Sequence, residues 1–334
     1  MGLSRKITYL LLVFLLFNPL SGVAQEADFT KSVSESLITG ESLRGSVEFL
    51  ADTLCEGRAT GTRGAVEASF WIARRFKSMS LLPMGRNGAD GSYFQSFSTS
   101  GAAGHNVLGF CPSPVPSDRY IIVAAHYDGI GVLSGRYYPG ADSNASGVAV
   151  LLDIARTVRS LSVLGRSCRS NIIFVALDAK QINMSGAAAL YSGLATGTFR
   201  NPVTGSTITA DCIEAMVNLD IIGSTLEPVT RNREDYLIML TTSPALRSAI
   251  TEANYSSRLY MNVSFDYYRS DDFTDLFLRR IGEQRVFIEH GIPAVLFTSG
   301  ITMNTNKVDD TPRTLNYEVL RKRALLISRW LSLQ

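Results

Sequence analysis

The run Tyr120-Ile-Ile-Val-Ala-Ala-His-Tyr-Asp128, followed after a short polar connection by Tyr138-Pro-Gly-Ala-Asp-Ser-Asn-Ala-Ser-Gly147, decides how the rest of this sequence is read. Tyr120 to Ala124 are apolar and rich in β-branched side chains, the composition of a strand buried in a parallel sheet. His126 and Asp128 follow at its carboxyl end, the edge at which open α/β sheets hold their ligands. On extended chain an i, i+2 pair points the same way, so Asp128 is placed to orient His126. Past Pro139-Gly140 a helix is expected, capped by Asn144 or Ser146, with Val148, Leu151, Leu152, Ala155 and Val158 on its apolar face.

Further strands are expected from Asn171 to Leu177, Ala215 to Leu219, Tyr236 to Leu240 and Ala294 to Thr298, alternating with helical stretches. That alternation predicts an α/β fold: a single domain over residues 41–334, with a central mixed, mostly parallel sheet and helices on both faces. His105 to Phe110 reads as an edge strand. Glu41 to Leu54, Ala65 to Phe76 and Arg313 to Leu333 carry apolar residues at helical spacing, the last as the closing amphipathic helix. Between the first two, Cys55 to Gly64 holds three glycines. No strand precedes them, so they read as turn residues and not as a phosphate cradle. Gly197 to Ala210 is a loop by composition, and residues 25–40, polar and Ser/Thr-rich, read as a mobile leader.

Taken in order, five segments carry the chemistry: His126-Tyr-Asp128, Gly140 to Gly147, Asp178-Ala-Lys180-Gln181, Asn218-Leu-Asp220-Ile-Ile-Gly223, and Asn306 to Thr311. They resemble the motifs of the co-catalytic zinc exopeptidases of the bacterial leucyl-aminopeptidase type, a family that includes glutaminyl cyclase-like members. The resemblance runs from about Glu41 to Trp330. The usual pattern is His-x-Asp, Gly-Ala-x-Asp-x-Ala-Ser-Gly, a Glu-Glu pair, Asn-Leu-Asp-x-Ile-Gly and His-x-x-x-Asp-Thr. It implies a dinuclear zinc hydrolase, with a bridging carboxylate, further ligands on each metal and a glutamate base.

In that register His126 and Asp220 match two ligands of one metal. The bridging aspartate position holds Ser143, and Asp142 lies one residue early. The Glu-Glu pair is Lys180-Gln181, so the position of the base carries an ammonium and that of a ligand carries a neutral amide. The last histidine position holds Asn306. His126 and Asp220 are therefore expected to be vestigial metal positions, with Asp128 and Asp142 supporting them and no catalytic base. No cofactor is expected; one zinc ion at most is the alternative, held by His126, Asp220 and a shifted Asp142. Lys180 is expected to place its ammonium against Asp220 where a metal would sit. His105 and His290 read as structural.

The reading is of an exported protein that has lost peptidase activity and binds a peptide or amino-acid-like ligand in the inherited cleft. An active aminopeptidase with an atypical metal site is the second reading. A hydrolase using Ser143 and Lys180 is the third, without a supporting Ser-x-x-Lys or Gly-x-Ser-x-Gly motif.

Composition bounds the rest. Residues 1–24 have the pattern of a secretory signal peptide: Arg5-Lys6, an apolar run from Ile7 to Phe17, and small residues up to Ala24. A periplasmic or extracellular location is expected, without membrane insertion. The formal net charge is +2, and the remainder without Arg5 and Lys6 is neutral (2 − 2 = 0), which leaves no basic stripe for nucleic acid. Cys55, Cys111, Cys168 and Cys212 fit no zinc-finger spacing, and scattered thiols with at most one bridge are expected.

Overall fold

A computed structural model describes residues 29–85, 91–225 and 234–334. Residues 1–24, read from the sequence as a signal peptide, lie outside the described residues. Thirteen strands are present among them: β1 (Leu82–Pro83), β2 (Phe94–Ser98), β3 (Ala103–Cys111), β4 (Tyr120–His126), β5 (Gly131–Leu133), β6 (Arg136–Tyr138), β7 (Asn171–Leu177), β8 (Phe199–Arg200), β9 (Thr207–Ile208), β10 (Ile213–Leu219), β11 (Tyr236–Thr241), β12 (Asn262–Ser264) and β13 (Ala294–Thr298). The main sheet runs β1-β3-β7-β4-β10-β13-β11-β12, with β2 also paired to β3. Its centre, β7-β4-β10-β13, is parallel throughout, so four carboxyl ends meet on one edge. β3 and β11 turn the sheet antiparallel on either side.

The sequence dictates this layering through period-2 alternation on strands whose two faces are both covered. On β4, Ile121, Val123 and Ala125 enter one core, with Leu43, Ile72, Leu151 and Leu326 from the helices Gly40–Leu50, Arg63–Ser78, Ser146–Val163 and Tyr317–Ser332. Tyr120, Ile122 and Ala124 enter the other, with Leu190 of the helix Ser185–Ala195 and Phe287 of the helix Gln284–Ile288. Each such buried large side chain is worth about 1.5–3 kcal/mol relative to exposure.

Three expectations change. β3 is an interior strand, since β1 and β2 lie on one side and β7 on the other. Its polar start is satisfied locally: the His105 amide donates to Asp178 at 2.9 Å, and its ring meets Ser96 Oγ at 3.0 Å. Residues 29–37, inside the segment read as a leader, are helical, and Ile38 beyond them is fully buried. The loop from Gly197 to Ala210 contains the small β8–β9 hairpin. All four cysteines are free thiols.

Two glycines let backbones approach. A Cβ on Gly147 would lie 2.4 Å from the Leu219 carbonyl, so the helix Ser146–Val163 packs directly on the end of β10. Gly57, at φ +66°, would put a Cβ 2.5 Å from the Tyr138 carbonyl. Glu56 and Arg58 share that left-handed conformation (φ 48° and 59°), and the turn they make sends Arg58 into the interior. There its guanidinium donates to the carbonyls of Tyr127 (2.7 Å), Pro139 (2.9 Å), Gly140 (2.8 Å) and Leu50. Arg323 does the same from the closing helix, donating to Tyr236, Ile222 and Ser224. No helix among the described residues is long and apolar enough to cross a membrane.

Candidate functional site

The carboxyl edge of the parallel strands opens into a cleft of about 190 Å³, lined among others by His126, Ser143, Lys180, Gln181, Asp220 and Asn306. His126 is the last residue of β4, Lys180 follows β7, and Asp220 follows β10. The parallel register alone brings these three side chains to one edge.

His126 is fully buried, and both of its ring nitrogens face oxygen. Nδ1 lies 3.0 Å from the backbone carbonyl of Asp128 and 3.5 Å from its carboxylate; Nε2 lies 3.3 Å from Asp220 Oδ1. Asp128 thus orients the imidazole more closely through its main chain than through its side chain, whose other oxygen accepts from the Gln181 amide at 3.1 Å. The Lys180 ammonium donates to Asp220 Oδ2, lies 3.3 Å from His126 Nε2, and is 4.0 Å from Glu283 Oε2. His126 and Asp220 are the two groups of metal-ligand chemistry that meet in the cleft, and the lysine lies against both.

Ser143 Oγ donates to Asn306 Oδ1 at 2.9 Å, which joins the two remaining positions of the sequence register. Asp142 is turned the other way. Its Oδ1 accepts from the Gly223 amide (2.7 Å) and Ser146 Oγ (2.9 Å), beneath the turn and away from His126. Ser146 is accordingly not the helix cap; Asn144 Oδ1 accepts from the Gly147 amide at 3.2 Å instead. Asp310 accepts from the amides of Asp142 and Ser143 at 2.7 and 3.0 Å. Burial and the nearby Asp142 carboxyl raise its pKa to about 7. His290 is outside the cleft, stacked on Tyr191 at 3.8 Å.

Charge in the cleft is strongly coupled. Burial favours the neutral acid of Asp220, but Lys180 and His126 together hold its pKa well below the usual carboxylate range. Burial and the Lys180 ammonium push the His126 pKa down, while Glu283, Asp128 and Asp220 push it up further, to about 9. A histidine raised from 6.5 to about 9 contributes stability that is complete below pH 6.5 and lost as pH rises through 9. Between pH 7 and 8.5 that is about 2 kcal/mol; Asp310, at about 7, completes its titration at the foot of this window, in parent and variant alike. Denaturant midpoints at those two pH values should fall accordingly in the parent. They should fall much less in His126→Asn, which keeps the buried thiols that begin to ionise at higher pH. Equal slopes would mean that His126 is neutral in the folded protein.

The model of peptidase family M28 matches residues 106–331, more than half of the chain. The chain belongs to peptidase family M28. A probable zinc metalloprotease of Leptosphaeria maculans is 30% identical over 122 residues, and that match spans 36% of this chain but only 24% of the fungal protein. Solved structures share the fold at low identity. LapB from Legionella pneumophila has a TM-score of 0.67 at 17% identity, over 91% of this chain and 75% of its own. A zinc aminopeptidase from Bacillus subtilis has 0.65 at 13%, over 88% and 94%. The glutaminyl cyclase of Fimbriiglobus ruber has 0.65 at 15%, over 89% and 96%. The mixed sheet flanked by helices is the architecture of the zinc aminopeptidases.

Sequence reasoning missed two residues that shape this site. Glu283 is fully buried beside Lys180, with Oε2 accepting from Asn218 Nδ2 at 3.0 Å. It lies outside the five segments that carry the chemistry in the sequence. Arg58 holds the carbonyls of Tyr127, Pro139 and Gly140, which flank the His126 and Asp142 segments. Its one sequence signal was its place in a glycine-rich turn between two amphipathic helices, a turn that also holds Arg63.

Proposed function

We propose that this M28 chain does not hold a zinc pair or hydrolyse peptides, and that its cleft binds a peptide or similar ligand. The observation that carries the reading is the Lys180 ammonium, salt-bridged to Asp220 and 3.3 Å from His126 Nε2, at the place where two ligands of one metal would converge. A zinc ion there would meet a fixed positive charge instead of a third donor. Opposite it stand a serine hydroxyl and two amides, Ser143, Asn306 and Gln181, which are poor zinc ligands at these positions. Asp142, the one nearby carboxylate that a shifted site would recruit, is bonded to Gly223 and Ser146. Among the described residues, no group of three or more His, Cys, Asp or Glu side chains is gathered to hold a metal.

Hydrolysis by this fold also needs a base to deprotonate water. Lys180 stands at that position, and although burial lowers its pKa, Asp220 and Glu283 raise it well above the usual lysine value. It stays an ammonium and cannot accept the proton. What the chain retains is the family's cleft and a floor of charges that largely neutralise one another. Export through the amino-terminal segment is part of the same proposal. Elemental analysis of protein purified without chelator should find no stoichiometric zinc, and aminoacyl chromogenic amides should not be cleaved with or without added zinc. Two zinc atoms per chain would overturn the proposal.

A further inference from the structure

We propose that the cleft takes ligands ending in an uncharged carbonyl, such as N-acylated peptides, in preference to a free amino terminus. This rests on the reading of the cleft as a peptide-binding site and names the class of peptide. The argument is a count of acceptors and donors. An α-ammonium brought into a partly enclosed cleft must find an anionic or strong acceptor, because burying it unpaired is costly. Asp220 is the one carboxylate lining the cleft, and both its oxygens are engaged: Oδ2 by Lys180, and Oδ1 by His126 at 3.3 Å. Asp128 and Glu283 lie behind the lining and are fully buried.

Three side chains facing the space carry N–H donors, and the acceptors beside them, Ser143 Oγ and Gln181 Oε1, are uncharged. Lys180 lines the cleft, its side chain is 20% exposed, and its strong bond to Asp220 uses one of three N–H groups. Ser143 gives its proton to Asn306 Oδ1, which leaves the Asn306 amide nitrogen without a partner among the described residues. The Gln181 side-chain amide is free in the same sense and can also donate. A carbonyl oxygen satisfies such donors. A carboxylate would do so against the repulsion of three carboxylates, Asp128, Asp220 and Glu283, set against the two cations Lys180 and His126. Phe277, Ile281, Leu296 and Ile301 supply an apolar wall for the body of the ligand.

Calorimetric titration with N-acetyl-leucyl-leucinamide and with leucyl-leucinamide tests this. The acetylated peptide should bind at least about tenfold tighter, since a tenfold ratio is only 1.4 kcal/mol and an unpaired ammonium costs more than that. Asn306→Asp, at an exposed position, replaces a donor with a carboxylate and should shift the preference toward the free amine. Equal or tighter binding of the free-amine peptide by the parent overturns the inference and leaves the cleft a peptide site. An unchanged preference in Asn306→Asp also overturns it. Binding of neither peptide at millimolar concentration overturns the ligand-binding reading itself, and the inference with it.

Discussion

Arg58→Ala is expected to destabilise the folded protein by about 4 kcal/mol or more. The guanidinium is fully buried and bonded to four main-chain carbonyls, from Leu50, Tyr127, Pro139 and Gly140. Each lost bond to a charged donor is worth about 1.5–3 kcal/mol, and the stranded carbonyls keep their desolvation cost. Partly offsetting this, the charge itself is poorly solvated: burial lowers the Arg58 pKa despite the nearby Cys55, Tyr137, Asp310 and Asp128. Arg58→Lys should recover little, because an ammonium has three donors at one point and cannot reach carbonyls spread around a planar fork. The measurement is a urea midpoint at constant m. A loss under about 1 kcal/mol would mean that the carbonyls find other partners and that Arg58 does not organise the site.

Lys180→Ala should cost about 3 kcal/mol, at the lower end for a broken buried pair because the lysine is one-fifth exposed and water reaches the gap. Removing the ammonium leaves Asp220, Glu283 and Asp128 around His126 alone. Lys180→Met tests the cause, since it restores packing without charge and should remain destabilised by a similar amount. Lys307→Ala, at an exposed lysine, gives the reference and should stay within about 0.5 kcal/mol. If Lys180→Met matched the parent, the lysine would be filling space and not neutralising carboxylates, and its role as a substitute for a metal charge would fail.

The contrast between these two residues shows where sequence reading succeeds. Lys180 was legible because it stands in an ordered series of motifs: a position with a known neighbour across the sheet can be interpreted when its charge reverses. The pairing with Asp220 needed only the parallel register of β7, β4 and β10, which the buried β-branched runs already specify. Arg58 was not legible. Its partners are carbonyl oxygens distributed over residues 50, 127, 139 and 140, and main-chain acceptors leave no trace in side-chain pattern.

By itself, then, the sequence determined the layers, the central strands and the edge on which chemistry gathers, because hydrophobic periodicity and strand order are local or nearly local properties. Motif order also matches particular side chains to the family's ligand and base positions by resemblance. Only the tertiary structure decided which way they face. Asp142 and Ser143 are adjacent, yet one is turned under the helix toward Gly223 and the other toward Asn306, because the turn from Gly140 is pinned by Arg58 and Asp310. Glu283 enters the site through the packing of the helix Gln284–Ile288 on the sheet, far along the chain from Lys180. Non-local contacts set both placements, and no window of sequence contains them.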